Sequence, residues 1–313
     1  MTSGVSAPDT GRDAALAAKS DRPGLRARLG RYYSLTKPGV LYGNVLTAAA
    51  GFFLASGRGT PTLGLFLALM VGTTLIIASA CVLNNVLDRD IDQRMERTST
   101  RATVTGSIPA RSAVLFSVVM GLVGLAILVL WTNALVVATG IGGFITYVWL
   151  YGALSKRMSL HGTLVGSVSG AAPILAGYLA VSGRVDAGAV LAFAMLFLWQ
   201  MPEFYSIAIY RREEYARAGV PVISVVKGER TTAVHILAYT VAFVVVTLLL
   251  PVFGYVGLVY TIAMAALGGW WIYLGVLGLR SSQPATWARR MFRFSMVMIL
   301  ALCVMVSVGP FLP

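Results

Sequence analysis

The sequence predicts an all-α membrane protein with nine transmembrane helices and a cytoplasmic N-terminus. Three observations predict it: the composition, the lengths of the apolar stretches and the side on which the cations fall. Of the 313 residues, 57% are hydrophobic and only 12% are charged, and the mean hydropathy is +0.78. A soluble core of this size could not bury so much apolar surface, so the chain is expected to lie in a bilayer.

Nine apolar stretches approach or exceed the roughly 20 residues that a helix needs to cross hydrocarbon. No linker divides them, so residues 37–313 are predicted to form one transmembrane domain. Residues 1–36 are predicted to form a disordered cytoplasmic tail, because they are rich in Ala, Ser, Gly and Arg and lack the apolar run of a signal peptide. The spans are predicted at residues 38–57, 62–87, 112–131, 134–154, 162–182, 187–209, 232–250, 253–279 and 288–311.

The net charge of +13 follows the predicted topology. With the N-terminus inside, every Lys and Arg falls in an inner segment except Arg58 and Arg184. This positive-inside bias supports both the nine-span count and the orientation. Membrane lipid, and not nucleic acid, is therefore the expected neighbour of these cations.

The second span ends in the segment Asn-Asn-Val-Leu-Asp-Arg-Asp-Ile-Asp at residues 84–92. Asn84, Asp88 and Asp92 recur at every fourth position, which stacks them along one face of a helix. Asp90 points to the opposite, solvated side. Carboxylate and amide oxygens are the ligands that Mg²⁺ prefers, and Mg²⁺ in turn binds diphosphate oxygens. The pattern predicts a catalytic magnesium site for a diphosphate substrate at the membrane surface.

Basic residues near this face are candidates for binding the diphosphate, since arginine forks and ammonium groups suit phosphate oxygens. The alternative is that they only anchor helix ends or extend to lipid headgroups. The candidates are Lys37, Arg94, Arg97, Arg101, Lys156 and Arg211.

A second inner loop also combines acids with arginines. Its acids could complete a second metal site opposite the first or line an acceptor site; alternatively, they only form salt bridges with neighbouring arginines. Glu203 differs from the others because it lies deeper in an apolar span, where an acid indicates a buried partner or a polar ligand. The candidates for this acceptor or second acidic site are Asn44, Glu203, Glu213, Glu214 and Tyr215.

These motifs are recognisable together. The sequence resembles the intramembrane aromatic prenyltransferase superfamily typified by 4-hydroxybenzoate polyprenyltransferase, and within it the branch that farnesylates heme. The resemblance covers nearly the whole chain beyond the tail. The matching segments are Thr36-Lys37-Pro38-Gly39, Gly43-Asn44, Asn84 through Thr98, Gly166 through Pro173, Trp199-Gln200-Met201-Pro202, Ala218 through Pro221 and Trp287-Ala288-Arg289.

The resemblance implies a helical bundle around a central cavity in the bacterial cytoplasmic (inner) membrane, with the active site toward the cytoplasm. It implies that Mg²⁺ held by Asn84, Asp88 and Asp92 binds farnesyl diphosphate. The farnesyl group would then add to a vinyl group of heme b, and water would complete the product, heme O. A terminal oxidase or heme A synthase assembly is the partner that this product would suggest.

Two residues depart from the family pattern. Glu203 stands where the family usually has His after Trp-Gln-Met-Pro, and Glu214 replaces an Asp before Tyr215. The second change keeps the charge, whereas the first could change the acceptor. A prenyltransferase acting on a quinone precursor or other aromatic acceptor is therefore one alternative. A small-solute transporter is another, although it would place polar residues near the bilayer midplane rather than at one face.

Overall fold

The computed structural model describes residues 24–155 and 161–313, and every regular element within these ranges is a helix. Nine of the described helices are long and apolar enough to cross a membrane, so the predicted nine-span, all-α fold is confirmed. The helices are α1 (Leu25–Leu35), α2 (Pro38–Ser56), α3 (Leu63–Leu87), α4 (Arg89–Asp92), α5 (Ala110–Trp131), α6 (Ala134–Ile145, continued by a π-helix at Thr146–Ser155), α7 (Gly162–Ser182), α8 (Ala187–Tyr210), α9 (Arg212–Arg217), α10 (Ile223–Val226), α11 (Gly228–Val252), α12 (Leu258–Gly278) and α13 (Pro284–Val308).

Three spanning helices begin earlier than predicted, by two residues for α5 and by four each for α11 and α13. The added residues carry charge in α5 (Arg111) and in α11 (Glu229 and Arg230), whereas residues 284–287 of α13 are uncharged. Hydropathy marks only the part of a helix that suits hydrocarbon, whereas backbone hydrogen bonding continues through the polar turn beside it. The differences at α5 and α11 therefore arise at charged helix ends, and the difference at α13 arises at an uncharged first turn that contains Pro284.

The prediction of a disordered tail is wrong for residues 25–35, because these residues form α1. This helix is held by tertiary contacts that composition does not reveal. Leu35 is buried and its carbonyl accepts a hydrogen bond from Asn85 Nδ2 at 2.8 Å. Tyr32 packs edge-on against Phe116 of α5, with ring centroids 5.1 Å apart. The prediction for residues 1–23 falls outside the described part of the chain.

Small residues bring α2 and α7 into close contact. A Cβ on Gly51 would lie 2.0 Å from the carbonyl oxygen of Ile174, and a Cβ on Gly177 would lie 2.0 Å from that of Ala48. Neither position can therefore accept a side chain without moving a helix. Membrane helices associate through such close backbone approaches because lipid provides no hydrophobic drive between them.

Side-chain hydrogen bonds fix α8 between two neighbours. Trp199 Nε1 donates to the carbonyl of Ser295 in α13 at 2.9 Å, and Gln200 Nε2 donates to that of Ser167 in α7 at 3.2 Å. Gly170 of α7 leaves the space that Gln200 occupies. The Trp-Gln pair of the sequence motif thus sets the position of α8, and α8 runs without interruption through Pro202.

The two charged loops that follow α3 and α8 lie at the same end of the bundle. Ile91 and Met95, which follow α3, form an apolar cluster with Ala218 and Val220, which follow α8; all four are buried. Tyr215 packs against this cluster. Loops about 120 residues apart in sequence are thereby joined beside the predicted magnesium face.

Candidate active site

The Asn84, Asp88 and Asp92 side chains occupy consecutive turns where α3 passes into α4. The Asp88 N–H donates to the Asn84 carbonyl at 2.9 Å, and the Asp92 N–H donates to the Asp88 carbonyl at 2.8 Å, so the helical spacing continues across the junction. All three residues are at most 3% exposed, whereas Asp90 is exposed. The structure thus places two carboxylates and an amide on one buried face.

Two cationic side chains contact oxygen atoms of this face. Lys37 Nζ donates to Asn84 Oδ1, and Arg101 Nη1 lies 2.5 Å from Asp92 Oδ2. Thr98 Oγ1 donates to the Asp92 carbonyl at 3.1 Å, which fixes the backbone behind that carboxylate. The oxygens that could bind a metal ion therefore lie where positive charge is favourable.

Lys37 has a backbone φ of 52°, and it is the single non-glycine residue with a positive φ in the part of the chain described. This left-handed conformation is costly for a residue with a Cβ. It occurs directly before Pro38, where the helical region is disfavoured for the preceding residue. The turn directs the ammonium group toward Asn84, so the strained backbone lies at the candidate site.

The π-helical end of α6 packs against the same face, which sequence reasoning missed. A Cβ on Gly152 would lie 3.2 Å from Asn84 Nδ2, and Asp88 interacts electrostatically with Tyr147 and Tyr151. The two tyrosine rings have centroids 5.9 Å apart. The only signal in the sequence was the aromatic content of this span end, which is as typical of an interface belt.

The Gly152→Leu variant is expected to lose about 10- to 100-fold in activity, the range seen when groups that orient a site residue are disturbed. A leucine side chain cannot fit without displacing Asn84. Steady-state rates of the purified variant measure the loss. Gly142→Leu is the matched control, because a Cβ at Gly142 meets open space on the same helix; equal rates for both variants would contradict the assigned contact.

Unlike Lys37 and Arg101, the remaining basic candidates that the structure describes make no side-chain bond to the magnesium face. Arg94 and Arg97 are exposed, and neither makes a side-chain hydrogen bond or ion pair with Asn84, Asp88 or Asp92 within the described residues. Arg211 Nη1 lies 2.8 Å from Glu214 Oε2, and this hydrogen bond raises the pKa of Arg211, against the opposing effect of burial. Lys156 lies outside the described residues.

The candidates for the acceptor or second acidic site do not form one cluster within the described residues. Glu214 pairs with Arg211, as the salt-bridge alternative expected, and Glu213 is exposed. Tyr215 packs against the apolar cluster that joins the two charged loops. Asn44 donates from Nδ2 to the Val40 carbonyl of its own helix at 2.8 Å. Within the described residues, its side chain makes no hydrogen bond to Asn84, Asp88 or Asp92.

Glu203 lies in α8 seven residues before its end, at a depth of about 10 Å. Its carboxylate makes no hydrogen bond or ion pair with any residue that the structure describes, so the salt-bridge alternative is not found there. The residue is partly exposed, unlike its buried neighbours Met201 and Pro202.

The donor set fits magnesium better than zinc. Within the described ranges no three His, Cys, Asp or Glu side chains cluster as a metal site. Mg²⁺ is commonly bound by one or two carboxylates together with substrate phosphates and water, which is what Asp88 and Asp92 with the Asn84 amide provide. Lys37 contacts Asn84 and Arg101 contacts Asp92, so both cations lie beside these proposed ligands.

The described part of the chain is a multi-pass helical bundle in which two cations contact a buried oxygen face. Residues 44–298 match the UbiA prenyltransferase family, so the chain belongs to that family of membrane prenyltransferases. Within that family it is similar to the protoheme IX farnesyltransferase of Pseudomonas savastanoi pv. phaseolicola. The two are 46% identical over 280 residues, which cover 90% of this chain and 95% of that protein. The protein is therefore an integral, multi-pass membrane prenyltransferase of this family.

Solved structures share the fold. A digeranylgeranylglyceryl phosphate synthase superposes with a TM-score of 0.77 at 18% identity, covering 91% of this chain and 99% of that one. A UbiA homolog from Archaeoglobus fulgidus bound to DMAPP and Mg²⁺ superposes with a TM-score of 0.62 at 18% identity, covering 89% and 99%. These neighbours confirm the arrangement of the helices.

Proposed function

We propose that this protein transfers the farnesyl group of farnesyl diphosphate to a vinyl group of heme b, with addition of water, to make heme O in a Mg²⁺-dependent reaction. The observation that carries the proposal is the 46% identity with a protoheme IX farnesyltransferase over nearly the full length of both chains. The homolog bound to DMAPP and Mg²⁺ supports a prenyl diphosphate and a metal ion on this fold.

Asn84, Asp88 and Asp92 are proposed to hold the metal ion. Mg²⁺, when bound, supplies a Lewis acid that stabilises the charge developing on the diphosphate. Lys37 and Arg101, which neutralise the protein oxygens in the structure, are the cations best placed to turn to phosphate oxygens. The full set proposed for the diphosphate is Lys37, Arg94, Arg97, Arg101, Lys156 and Arg211.

The transfer breaks the bond between farnesyl C1 and oxygen, and the electron pair leaves with diphosphate. The π electrons of the vinyl group form the new bond to C1, which leaves a positive charge on the vinyl carbon next to the porphyrin ring. Water adds there and loses a proton. Tyr147 and Tyr151 are proposed to stabilise the allylic cation with their ring faces.

The acceptor is proposed to bind beside the second inner loop, near Glu203 and Asn44, with Glu213, Glu214 and Tyr215 at the rim. One observation favours the alternative acceptor, a quinone precursor or another aromatic compound. Glu203 is an acid with no recorded partner in an apolar helix, where the family usually has His. A carboxylate there would repel heme propionates unless it were protonated or paired.

We also propose a cytoplasmic N-terminus and an active site toward the cytoplasm of the inner membrane. The near-complete segregation of Lys and Arg to one set of loops supports this orientation. The product would serve heme A synthase or a terminal oxidase assembly.

The test supplies heme b, farnesyl diphosphate and Mg²⁺ to membranes containing the protein and follows the heme fraction by mass spectrometry. The expected product has the mass of heme plus a farnesyl group plus a hydroxyl group, and chelation of Mg²⁺ should abolish it. If farnesyl diphosphate is consumed while heme stays unchanged, the acceptor assignment is wrong, and prenylation of a quinone precursor in the same membranes would establish the alternative.

A further inference from the structure

A cavity, here called the Arg31 cleft, lies next to the candidate active site. It has a volume of about 400 Å³ and is bounded by α1, the end of α3 and the loop after α4. Its polar lining consists of Arg31, Ser34, Asn85, Thr100, Arg101 and Ser107. No sequence motif predicted this cleft.

The cleft and the magnesium face lie on different sides of the end of α3. Asn84 and Asn85 are successive residues, so their side chains diverge by about 100° around the helix. Asn84 lies beside Lys37, whereas Asn85 donates to the Leu35 carbonyl of α1 and lines the cleft. The cleft therefore lies beside the site of the proposed transfer and shares Arg101 with it.

The lining is suited to an oxyanion. It contains two guanidinium groups and three hydroxyl groups, and no carboxylate. The Ser34 and Ser107 hydroxyls donate to backbone carbonyls, so the arginine forks and Thr100 are the donors that match tetrahedral phosphate oxygens. We propose that the Arg31 cleft binds a phosphate-bearing anion from the aqueous phase, and that diphosphate released by the reaction is such an anion; its identity as a product rests on the proposed function.

Arg101 connects the cleft to the active site. Its Nη1 atom is bonded to Asp92 Oδ2, while the side chain also lines the cleft. A guanidinium group has five N–H donors, so it can contact an anion in the cleft and Asp92 together. Diphosphate leaving the magnesium face can thus pass to the cleft without losing contact with Arg101.

The exposed face of α1 indicates that the ligand comes from water rather than from lipid. Leu25, Leu29 and Tyr33 form an exposed stripe at four-residue spacing, each at least 50% exposed. On the helix this stripe lies about 170° from the midpoint of Arg31 and Ser34. We expect an apolar stripe on a helix at a membrane surface to face the acyl chains, and this orientation would place the cleft on the opposite side.

Equilibrium dialysis of radiolabelled diphosphate against the purified full chain in neutral detergent, with EDTA present, tests the cleft. EDTA removes binding through Mg²⁺, whereas arginine and hydroxyl donors need no metal. We expect saturable binding that Arg31→Gln weakens by at least about tenfold and Ser34→Ala weakens less. The matched control is Arg28→Gln, one turn away on α1 and outside the cleft, which should bind like the parent.

Three results would overturn the proposal. One is an absence of Mg²⁺-independent binding, and another is equal binding by the Arg31→Gln and Arg28→Gln variants. The third is an anionic phospholipid that copurifies with the parent, blocks diphosphate binding and is lost from Arg31→Gln by native mass spectrometry, which would assign the cleft to a lipid headgroup. The dialysis uses neither heme nor prenyl transfer, so it stays decisive if the proposed reaction fails.

Discussion

The Asp88→Asn variant is expected to lose about 10³-fold in kcat for prenyl transfer, a loss typical of removing one charge-stabilising group from a preorganised site. Asp88 lies on the turn between Asn84 and Asp92 and is 1% exposed. Asparagine keeps the shape of the side chain but removes a negative charge from a proposed magnesium ligand. Rates measured over a range of Mg²⁺ concentrations should also show a higher metal requirement, because affinity falls with ligand charge.

Asp90→Asn is the matched control, since Asp90 is exposed on the same short segment and should tolerate the change. Thermal unfolding of both variants in detergent separates a lost ligand from lost stability. Retention of more than about a third of parental activity by Asp88→Asn would remove Asp88 from the metal site.

The Lys37→Gln variant is expected to lose about 10²-fold in kcat, since a single charged donor to a reacting oxyanion contributes on that scale. Lys37 orients Asn84 in the structure and is the proposed cation for the leaving diphosphate. Glutamine retains hydrogen-bonding capacity but loses the charge. The affinity for farnesyl diphosphate and the rate at which diphosphate leaves should therefore both fall. Single-turnover rates with farnesyl diphosphate measure the effect.

Lys37→Gly distinguishes the ammonium group from the strained turn. Glycine adopts a φ near 52° without steric cost, so the fold should be preserved or stabilised while activity stays low. Lys227→Gln, an exposed lysine at the start of α11, should behave like the parent. An active Lys37→Gly protein would show that the turn matters and that the charge does not.

Much of the fold was predictable because helix count depends on local composition. Each span carries its own apolar run, and the nine runs reappear as nine described helices. Helix α1 was not predictable on the same basis. Its formation depends on Tyr32 reaching Phe116 and on Asn85 reaching Leu35, and neither contact has a signature in the composition of residues 1–36.

The candidate site also has a part that the sequence predicts and a part that it does not. The stacking of Asn84, Asp88 and Asp92 follows from their spacing on one helix, and the structure places them so. The aromatic pair Tyr147 and Tyr151 comes from a helix about 60 residues further on, where the sequence offers no periodic signal toward Asp88. The metal and substrate roles of all these residues stay predictions until the variants are measured.

The sequence by itself determined that this is a nine-span membrane protein with an oxygen-lined helix face at one end, because hydropathy and helical periodicity act within a single segment. Tertiary structure decided which cations serve that face. Among the five basic candidates that the structure describes, it brought Lys37 and Arg101 into contact with the face and paired Arg211 with Glu214. It also created the Arg31 cleft from three separate segments. Such contacts depend on how helices pack across the bundle, and packing is set by the close fit of distant surfaces that no local pattern records.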